Sequence, residues 1–186
     1  MISHLEPTFA YGDYPTEPLA SAVALDADTT EAEALALIQS AWAQAEAFTN
    51  RTYRPITAGK CIVKVASPMP FQWPRHPYPA ALSVEVLAGG NWVEHRETYI
   101  PDLGLVELEP FTLYRLTQQG TVAGNTPAPH VIEAVRNLAT YQAIQGPVRR
   151  EFKSQSTGDS GFSREALMGL MYGSGAGALL ASEVRS

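Results

Sequence analysis

The feature that most constrains this chain is a change of hydrophobic period, from helix to strand and back to helix. Apolar residues recur every three to four positions in residues 29–48, alternate in short runs within 58–123, and return to helical spacing in 129–145. A period near 3.6 buries one face of a helix, and a period of two buries one face of a strand. We therefore predict an α+β fold: a helical bundle core (long N-terminal helix, late helix and C-terminal helix) with an inserted antiparallel β-section.

The first helix has the clearest boundaries in the sequence. Thr30 followed three residues later by Glu33 predicts a capping box at its start. Pro55 disfavours helical geometry at Arg54 and marks its end. One apolar stripe should face the core; its members are Leu35, Ile38, Trp42, Ala45 and Phe48.

The middle of the chain has the pattern of short antiparallel strands joined by local turns. Strands are predicted at 61–65, 82–86, 92–94, 99–100, 105–108 and 112–116. The segment 68–79 contains many prolines, which cannot donate to a sheet, so we expect a loop or an edge segment there.

The C-terminal third begins with the late helix, which should end at Gly146-Pro147. Its buried side is predicted to comprise Val131, Ile132, Val135, Leu138, Ala139 and Ile144. A short helix is expected at about 162–172, broken by the glycines of 173–177 and followed by a tail. The predicted organisation is an N-terminal arm at 1–28, with a short helix at Leu19–Leu25, a core at 29–146, and a mobile connection, short helix and tail at 147–186.

Composition limits the classes of function. The formal net charge of −6 argues against a protein that grips nucleic acid phosphates. A single cysteine, Cys61, rules out a disulfide within the chain and suits a reducing cytoplasm. Neither a bilayer-spanning apolar run nor a signal peptide is evident, so we expect no membrane association and no export.

One short motif imitates a catalytic site. Residues 158–161 carry the four letters that surround the nucleophile of trypsin-like proteases, Gly158-Asp159-Ser160-Gly161. That chemistry also needs a histidine base and an orienting aspartate, and His4, His76, His95 and His130 lack the expected context. The scattered histidines also lack metal-ligand spacing. We therefore predict no catalytic, metal or cofactor residues and no enzyme.

The order of elements and motifs resembles the head–tail connector (adaptor) family of tailed phages and gene transfer agents, over roughly residues 17–172. A helix ends in the family signature, here Glu46-Ala47-Phe48-Thr49-Asn50-Arg51, with Asn50 where the family usually has glycine. A β-rich section is entered through Pro74-Arg75-His76-Pro77. The late helix carries Ile132-Glu133-Ala134-Val135.

The resemblance implies a structural virion protein at the head–tail junction, assembled in the bacterial cytoplasm. Such subunits form a ring, commonly of twelve copies, beneath the portal protein. DNA passes through the bore without sequence-specific binding, and a stopper or tail protein docks underneath. A closed ring needs a heterologous interface, in which one face of a subunit meets a different face of its neighbour.

We further predict that residues 147–186 order against the portal protein. The candidate docking residues are Arg149, Arg150, Phe162, Leu167, Met168, Leu170, Met171, Leu179 and Leu180. Three alternatives stay open at this stage. They are a tail-completion or stopper protein of the same particle, an enzyme with an unrecognised site, and a non-viral soluble binding module.

Overall fold

The computed structural model describes residues 2–155 and 167–184, and the side chains of 2–145 and 169–184. The chain divides into two compact units. Met1–Asp13 and Arg54–Asn125 form a β unit, and Tyr14–Tyr53 and Thr126–Ser186 form a helical unit. The predicted α+β class is confirmed.

The β unit contains two antiparallel sheets. The five-stranded sheet has the order β1-β2-β8-β4-β5, and the three-stranded sheet has the order β3-β7-β6. The strands are β1 Ile2–Tyr11, β2 Ile56–Val65, β3 Met69–Gln72, β4 Leu82–Ala88, β5 Asn91–Glu94, β6 Tyr99–Ile100, β7 Leu105–Leu108 and β8 Leu113–Gln118. All six predicted strands are present. The proline-rich segment contributes β3 at a sheet edge, one of the two expected outcomes.

Alternating side chains of both sheets build one core in the β unit. In β2, Cys61, Val63 and Val65 are buried, while the intervening side chains are less covered. The three-stranded sheet contributes Phe71 from β3, and the Trp73 ring, just after β3, meets Phe9 edge to face at 5.7 Å between ring centroids. Each such large apolar side chain stabilises the folded state by about 1.5–3 kcal/mol on burial.

Strand β1 was not predicted from the sequence. It pairs antiparallel with β2 over almost its whole length, with Leu5 opposite Val63 and Phe9 opposite Gly59. Every residue from Ile2 to Thr8 is exposed, so this edge strand lacks the buried alternation that identifies strands in a sequence. Pro7 is tolerated because β1 is an edge strand.

The helical unit is built from five α-helices and a final 3₁₀ turn among the described residues. They are α1 Ala20–Ala27, α2 Glu31–Thr49, α3 Pro129–Gln155, α4 Leu167–Gly173, α5 Ala176–Leu180 and the 3₁₀ helix Ala181–Glu183. The capping box is confirmed, since Thr30 Oγ1 accepts from the backbone N–H of Glu33 at 3.2 Å. The predicted helix near Leu19–Leu25 corresponds to α1.

A second core lies among these helices. Its largest member is the fully buried Trp42 of α2. The other fully or nearly fully buried apolar residues are Val23, Ala24, Ala34, Ile38, Ala41, Ala45, Tyr53, Val131, Ala134, Val135, Leu138, Ala139, Met171, Ala176 and Leu180. The α+β class is shown, and the helical bundle core with an inserted antiparallel β-section stays a prediction. The β-section has its own core and also recruits β1 from the N-terminus.

Helix boundaries and stripes also differ in places from the expectations. Helix α3 continues through Gly146-Pro147 to Gln155, because a proline removes one backbone hydrogen bond and can kink a helix without ending it. The predicted tail instead forms α5 and the 3₁₀ helix. Leu35 of α2 and Ile144 of α3 are 51% and 49% exposed. Each helix therefore buries one fewer of the apolar residues that were predicted to face the core. The division into arm, core and C-terminal segment stays a prediction about assembly.

Candidate functional site

The signature at the end of α2 forms a turn held by its own side chains. Glu46 Oε1 accepts a hydrogen bond from the backbone N–H of Tyr53 at 2.8 Å. Thr49 is buried, and its hydroxyl donates to the carbonyl of Ala45 at 2.8 Å. The bond from Tyr53 to Glu46 holds the chain after α2 against the last turn of the helix, and the bond from Thr49 to Ala45 lies within that turn.

Asn50 provides the change of direction at this turn. It is the C-cap of α2 and has φ 54° and ψ 32°, in the left-handed region. Asparagine enters that region at lower cost than most residues, and glycine at the lowest. Asn50, where the resembled signature has glycine, is therefore compatible with this turn.

Arg51 connects the signature to the far end of the chain. Its Nε donates to the backbone carbonyl of Glu183 at 2.7 Å and lies 3.4 Å from Glu183 Oε2. His130 Nε2, at the start of α3, lies 2.9 Å from the other carboxylate oxygen of Glu183. Glu183 thus joins the end of α2, the start of α3 and the 3₁₀ helix. Sequence reasoning missed this contact because it spans 132 positions.

The aromatic residues of the signature region belong to the helical core. Trp42 lies 5.3 Å from Tyr53 between ring centroids, and its indole N–H donates to the carbonyl of Glu17 at 3.0 Å. Phe48 is half-buried against the same core. Burial is the main cause that raises the pKa of Tyr53. Trp42 is therefore a core residue, as expected, and is not available to stack on nucleic acid bases.

The second signature segment, Pro74-Arg75-His76-Pro77, lies in the β unit. The Arg75 guanidinium is exposed and lies 5.9 Å from the centre of the Phe9 ring on β1. The His76 ring meets Tyr78 edge to face at 5.1 Å between centroids. Tyr78 in turn accepts a hydrogen bond from Gln72 at 2.8 Å. This segment packs a proline-rich loop beside the sheets, in a different unit from the first signature.

The candidate docking residues whose side chains the structure describes do not form one exposed surface. Met171 and Leu180 are fully buried in the helical core, and Leu170 and Leu179 are half-buried against it. Arg149 and Arg150 lie on the backbone of α3, and Leu167 and Met168 on that of α4, without described side chains. Phe162 lies outside the described residues, and so does the protease-like motif Gly158-Asp159-Ser160-Gly161.

An exposed aromatic residue that sequence reasoning missed lies between β7 and β8. Phe111 has φ 64°, in the left-handed region, and its side chain is 74% exposed. Its backbone N–H donates to the carbonyl of Val65 at 2.8 Å. Tyr114, two residues into β8, accepts from the backbone N–H of Glu109 at 3.1 Å. These two hydrogen bonds hold the turn between β7 and β8, while the phenyl ring of Phe111 stays in solvent.

An arginine in β8 forms a bidentate ion pair with a carboxylate of β4. Arg115 donates from Nε and Nη2 to both carboxylate oxygens of Glu85, at 2.6 and 2.5 Å. This bidentate bond lowers the pKa of Glu85. The guanidinium also lies 4.7 Å from the centre of the Trp92 ring. Cross-strand contacts of this kind hold neighbouring strands in register.

The described residues offer little that resembles a reaction centre. An open depression beside β4 contains His95, Arg96 and Glu97, with His95 Nε2 at 2.9 Å from Glu97 Oε1. Burial raises the pKa of the Cys61 thiol to about 12, so it is protonated and unreactive at neutral pH. Within 2–155 and 167–184, no cluster of three histidine, cysteine or carboxylate side chains could bind a metal. No helix in these ranges is long and apolar enough to cross a membrane.

Comparison with known proteins identifies the fold. No protein-family model matches the sequence, and no curated protein does. A chain from the neck of an empty gene transfer agent particle, computed with C6 symmetry, is similar at 13% identity, with a TM-score of 0.50. The likeness covers 92% of this chain and 94% of that one. A chain from the virion of a native gene transfer agent particle is also similar, at 13% identity and a TM-score of 0.45 over 90% and 93% of the two chains. The chain therefore shares its fold, almost from end to end, with a protein of a particle neck.

Proposed function

We propose that this chain is a structural virion protein, a subunit of a head–tail adaptor. Copies of it form a ring beneath the portal protein, link the DNA-filled head to the tail, and leave a bore through which DNA passes. The role is mechanical and needs no enzymatic chemistry. The particle is a tailed phage or a gene transfer agent.

The observation that carries this proposal is the likeness of fold to the particle-neck chain over 92% of this chain. A likeness at 13% identity indicates a shared fold. Because one fold can serve many functions, the proposed function needs independent support. That support comes from the signature, whose residues make definite contacts in this fold. Glu46, Asn50 and Arg51 each hold part of the turn after α2.

The same comparison supports the proposal of a ring. The similar neck chain belongs to a structure computed with C6 symmetry, and a ring of twelve copies is compatible with sixfold averaging. A ring closes through two different surfaces on each subunit. A chain with two separate cores offers such surfaces on two distinct units.

We further propose that the portal protein contacts the segment 149–168, from the end of α3 into the start of α4. Its candidate residues are Arg149, Arg150, Phe162, Leu167 and Met168. Met171 and Leu180 support the segment from within the core, because their side chains are fully buried in this chain. A deletion of 160–186 is therefore unsuitable as a test, since it would remove core residues together with the docking segment.

A charge reversal in the segment tests portal docking without removing core residues. We expect the double substitution Arg149→Glu with Arg150→Glu to weaken binding to purified portal at least tenfold, because it replaces two cations with two anions. Arg96→Glu, an exposed arginine of the β unit, is the matched control and should bind normally. Binding is measured by co-sedimentation, and the complex is imaged by electron microscopy.

The images separate the adaptor from its alternatives. A ring of this chain directly at the portal exit supports the proposal. If wild-type protein does not bind portal but binds a ring one layer lower, it is a stopper or tail-completion protein. A protein that stays monomeric and binds neither the portal protein nor other neck proteins would contradict the proposal of a virion protein.

A further inference from the structure

Helices α4 and α5 form a hairpin whose turn is held by one hydroxyl group. Helix α4 ends at Gly173 and α5 begins at Ala176. Ser174 Oγ donates to the carbonyl of Leu170 at 2.8 Å and accepts from the backbone N–H of Ala176 at 3.3 Å. Because one side chain bonds both helices, a shift of α5 is passed on to α4. We call Leu167–Leu180 the C-terminal hairpin.

Packing attaches the C-terminal hairpin to the rest of the helical unit. Met171 of α4 and Leu180 of α5 are fully buried in the helical core. Gly173 lies so near α3 that a β-carbon there would come within 2.8 Å of the Tyr141 hydroxyl oxygen. The hydrophobic effect favours this burial but has no direction, so burial by itself permits small slides and rotations of the hairpin. Directional bonds are needed to fix its position.

Glu183, three residues beyond the end of α5, makes such bonds. Its backbone carbonyl accepts from Arg51 Nε at 2.7 Å, and its carboxylate lies 3.4 Å from that nitrogen and 2.9 Å from His130 Nε2. Charge-assisted hydrogen bonds add geometric specificity as well as energy. Arg51 follows the end of α2, and His130 is the second residue of α3. These contacts, which we call the Glu183 clasp, therefore fix the hairpin to two helices at once.

The proposed docking residues with a described backbone fall into two pairs. Arg149 and Arg150 belong to α3, and Leu167 and Met168 begin α4. The first pair is placed by α3 itself, whereas the place of the second pair depends on the C-terminal hairpin. Groups that are already held in their binding position lose less entropy on docking and so bind more tightly. The Glu183 clasp thus acts on the part of the docking site that α3 does not hold.

We propose that Glu183 is a positioning residue for portal docking. Through Arg51 and His130 it fixes the C-terminal hairpin, and with it the start of α4, in the place where the portal protein binds. Glu183 itself does not contact the portal protein. This inference rests on the proposed function and names the residue that orients its docking site.

Glu183→Ala in the full chain tests the positioning role. The substitution removes the carboxylate and leaves the backbone carbonyl that accepts from Arg51. We expect amide hydrogen exchange in α4 and α5 to become about three- to fivefold faster, the scale of a partly exposed ion pair, with exchange in α2 unchanged. We expect the affinity for purified portal protein to fall at least about threefold, because the hairpin then loses more entropy on docking. Glu183→Gln, which keeps the size of the side chain, should change both quantities in the same direction but less.

Glu133→Ala is the matched control. Glu133 is an exposed carboxylate of α3, so its loss changes the net charge by the same amount without opening the clasp. This variant should exchange and bind portal as wild type does. A fall in portal affinity that Glu133→Ala reproduces would overturn the proposal, because the cause would then be net charge.

A double substitution shows whether Arg51 and Glu183 act together. If both work through one clasp, the fall in portal affinity of Arg51→Ala with Glu183→Ala is smaller than the product of the two single falls. Independent effects of the two substitutions would contradict the clasp, and wild-type portal affinity in Glu183→Ala would overturn the positioning role. Failure of the wild-type chain to bind portal would instead contradict the adaptor proposal itself. The two failures are therefore distinguished by the wild-type measurement.

Discussion

At the scale of single residues, Asn50 shows how one side chain decides the path of the backbone. The chain must leave α2 in a left-handed conformation for Arg51 to reach Glu183 and for Tyr53 to pack beside Trp42. The sequence indicated this conformation, because asparagine replaces a glycine of the resembled signature. It did not indicate Glu183 as the partner of Arg51, since nothing local links the two positions.

A pair of substitutions tests the importance of this conformation. We expect Asn50→Val to reduce the free energy of unfolding by about 1–2 kcal/mol, because a β-branched residue is strained at φ 54°. Asn50→Gly is the matched control and should lose no stability. Urea denaturation followed by circular dichroism measures both. Equal stability of the valine and glycine variants would contradict the role assigned to the turn.

At the scale of elements, the C-terminal residues changed most between expectation and structure. Glycines at 173, 175 and 177 indicated a broken chain and a tail. In the fold, α4 ends at Gly173, and Gly175, with φ 76°, serves as the N-cap of α5. Helix α5 then packs Ala176 and Leu180 into the helical core. A helix of five residues depends on tertiary packing, which no local pattern reveals.

The burial of α5 has a measurable consequence. We expect Leu180→Ala to reduce the free energy of unfolding by about 2–5 kcal/mol, because it leaves a cavity in the helical core. Val184→Ala, at a position that is 50% exposed, should change stability by less than about 0.5 kcal/mol. Thermal or urea denaturation distinguishes the two. If Leu180→Ala left the free energy of unfolding unchanged, α5 would not be packed in the helical core.

At the scale of the whole molecule, the net charge bears on the proposed passage of DNA. The net charge is −6, and the first 50 residues contain no lysine or arginine. Among the described residues, Arg51, Arg115 and Arg136 form ion pairs with carboxylates, which reduces the positive charge available to phosphates. A subunit of this kind can surround DNA without holding it, as the proposed bore requires.

A binding experiment tests this expectation. We expect no detectable binding of a labelled 20-base-pair duplex at about 10 µM protein and physiological salt, measured by fluorescence anisotropy. Proteins that use phosphate contacts bind non-specifically at about 1–100 µM, with a steep dependence on salt. Tight, salt-sensitive binding would contradict passive passage and favour a nucleic acid-binding role.

The sequence by itself determined the α+β class, the positions of the predicted strands, the capped start of α2 and the turn at its end. Each of these depends on hydrophobic period or on local backbone chemistry, which a short window of residues contains. Only the tertiary structure decided that β1 joins the sheet, that the β unit has its own core, and that Met171 and Leu180 are buried. It also decided that Glu183 joins Arg51 and His130, and that Phe111 stays exposed. These features depend on pairing between distant residues, whose free energy appears only when the chain is folded.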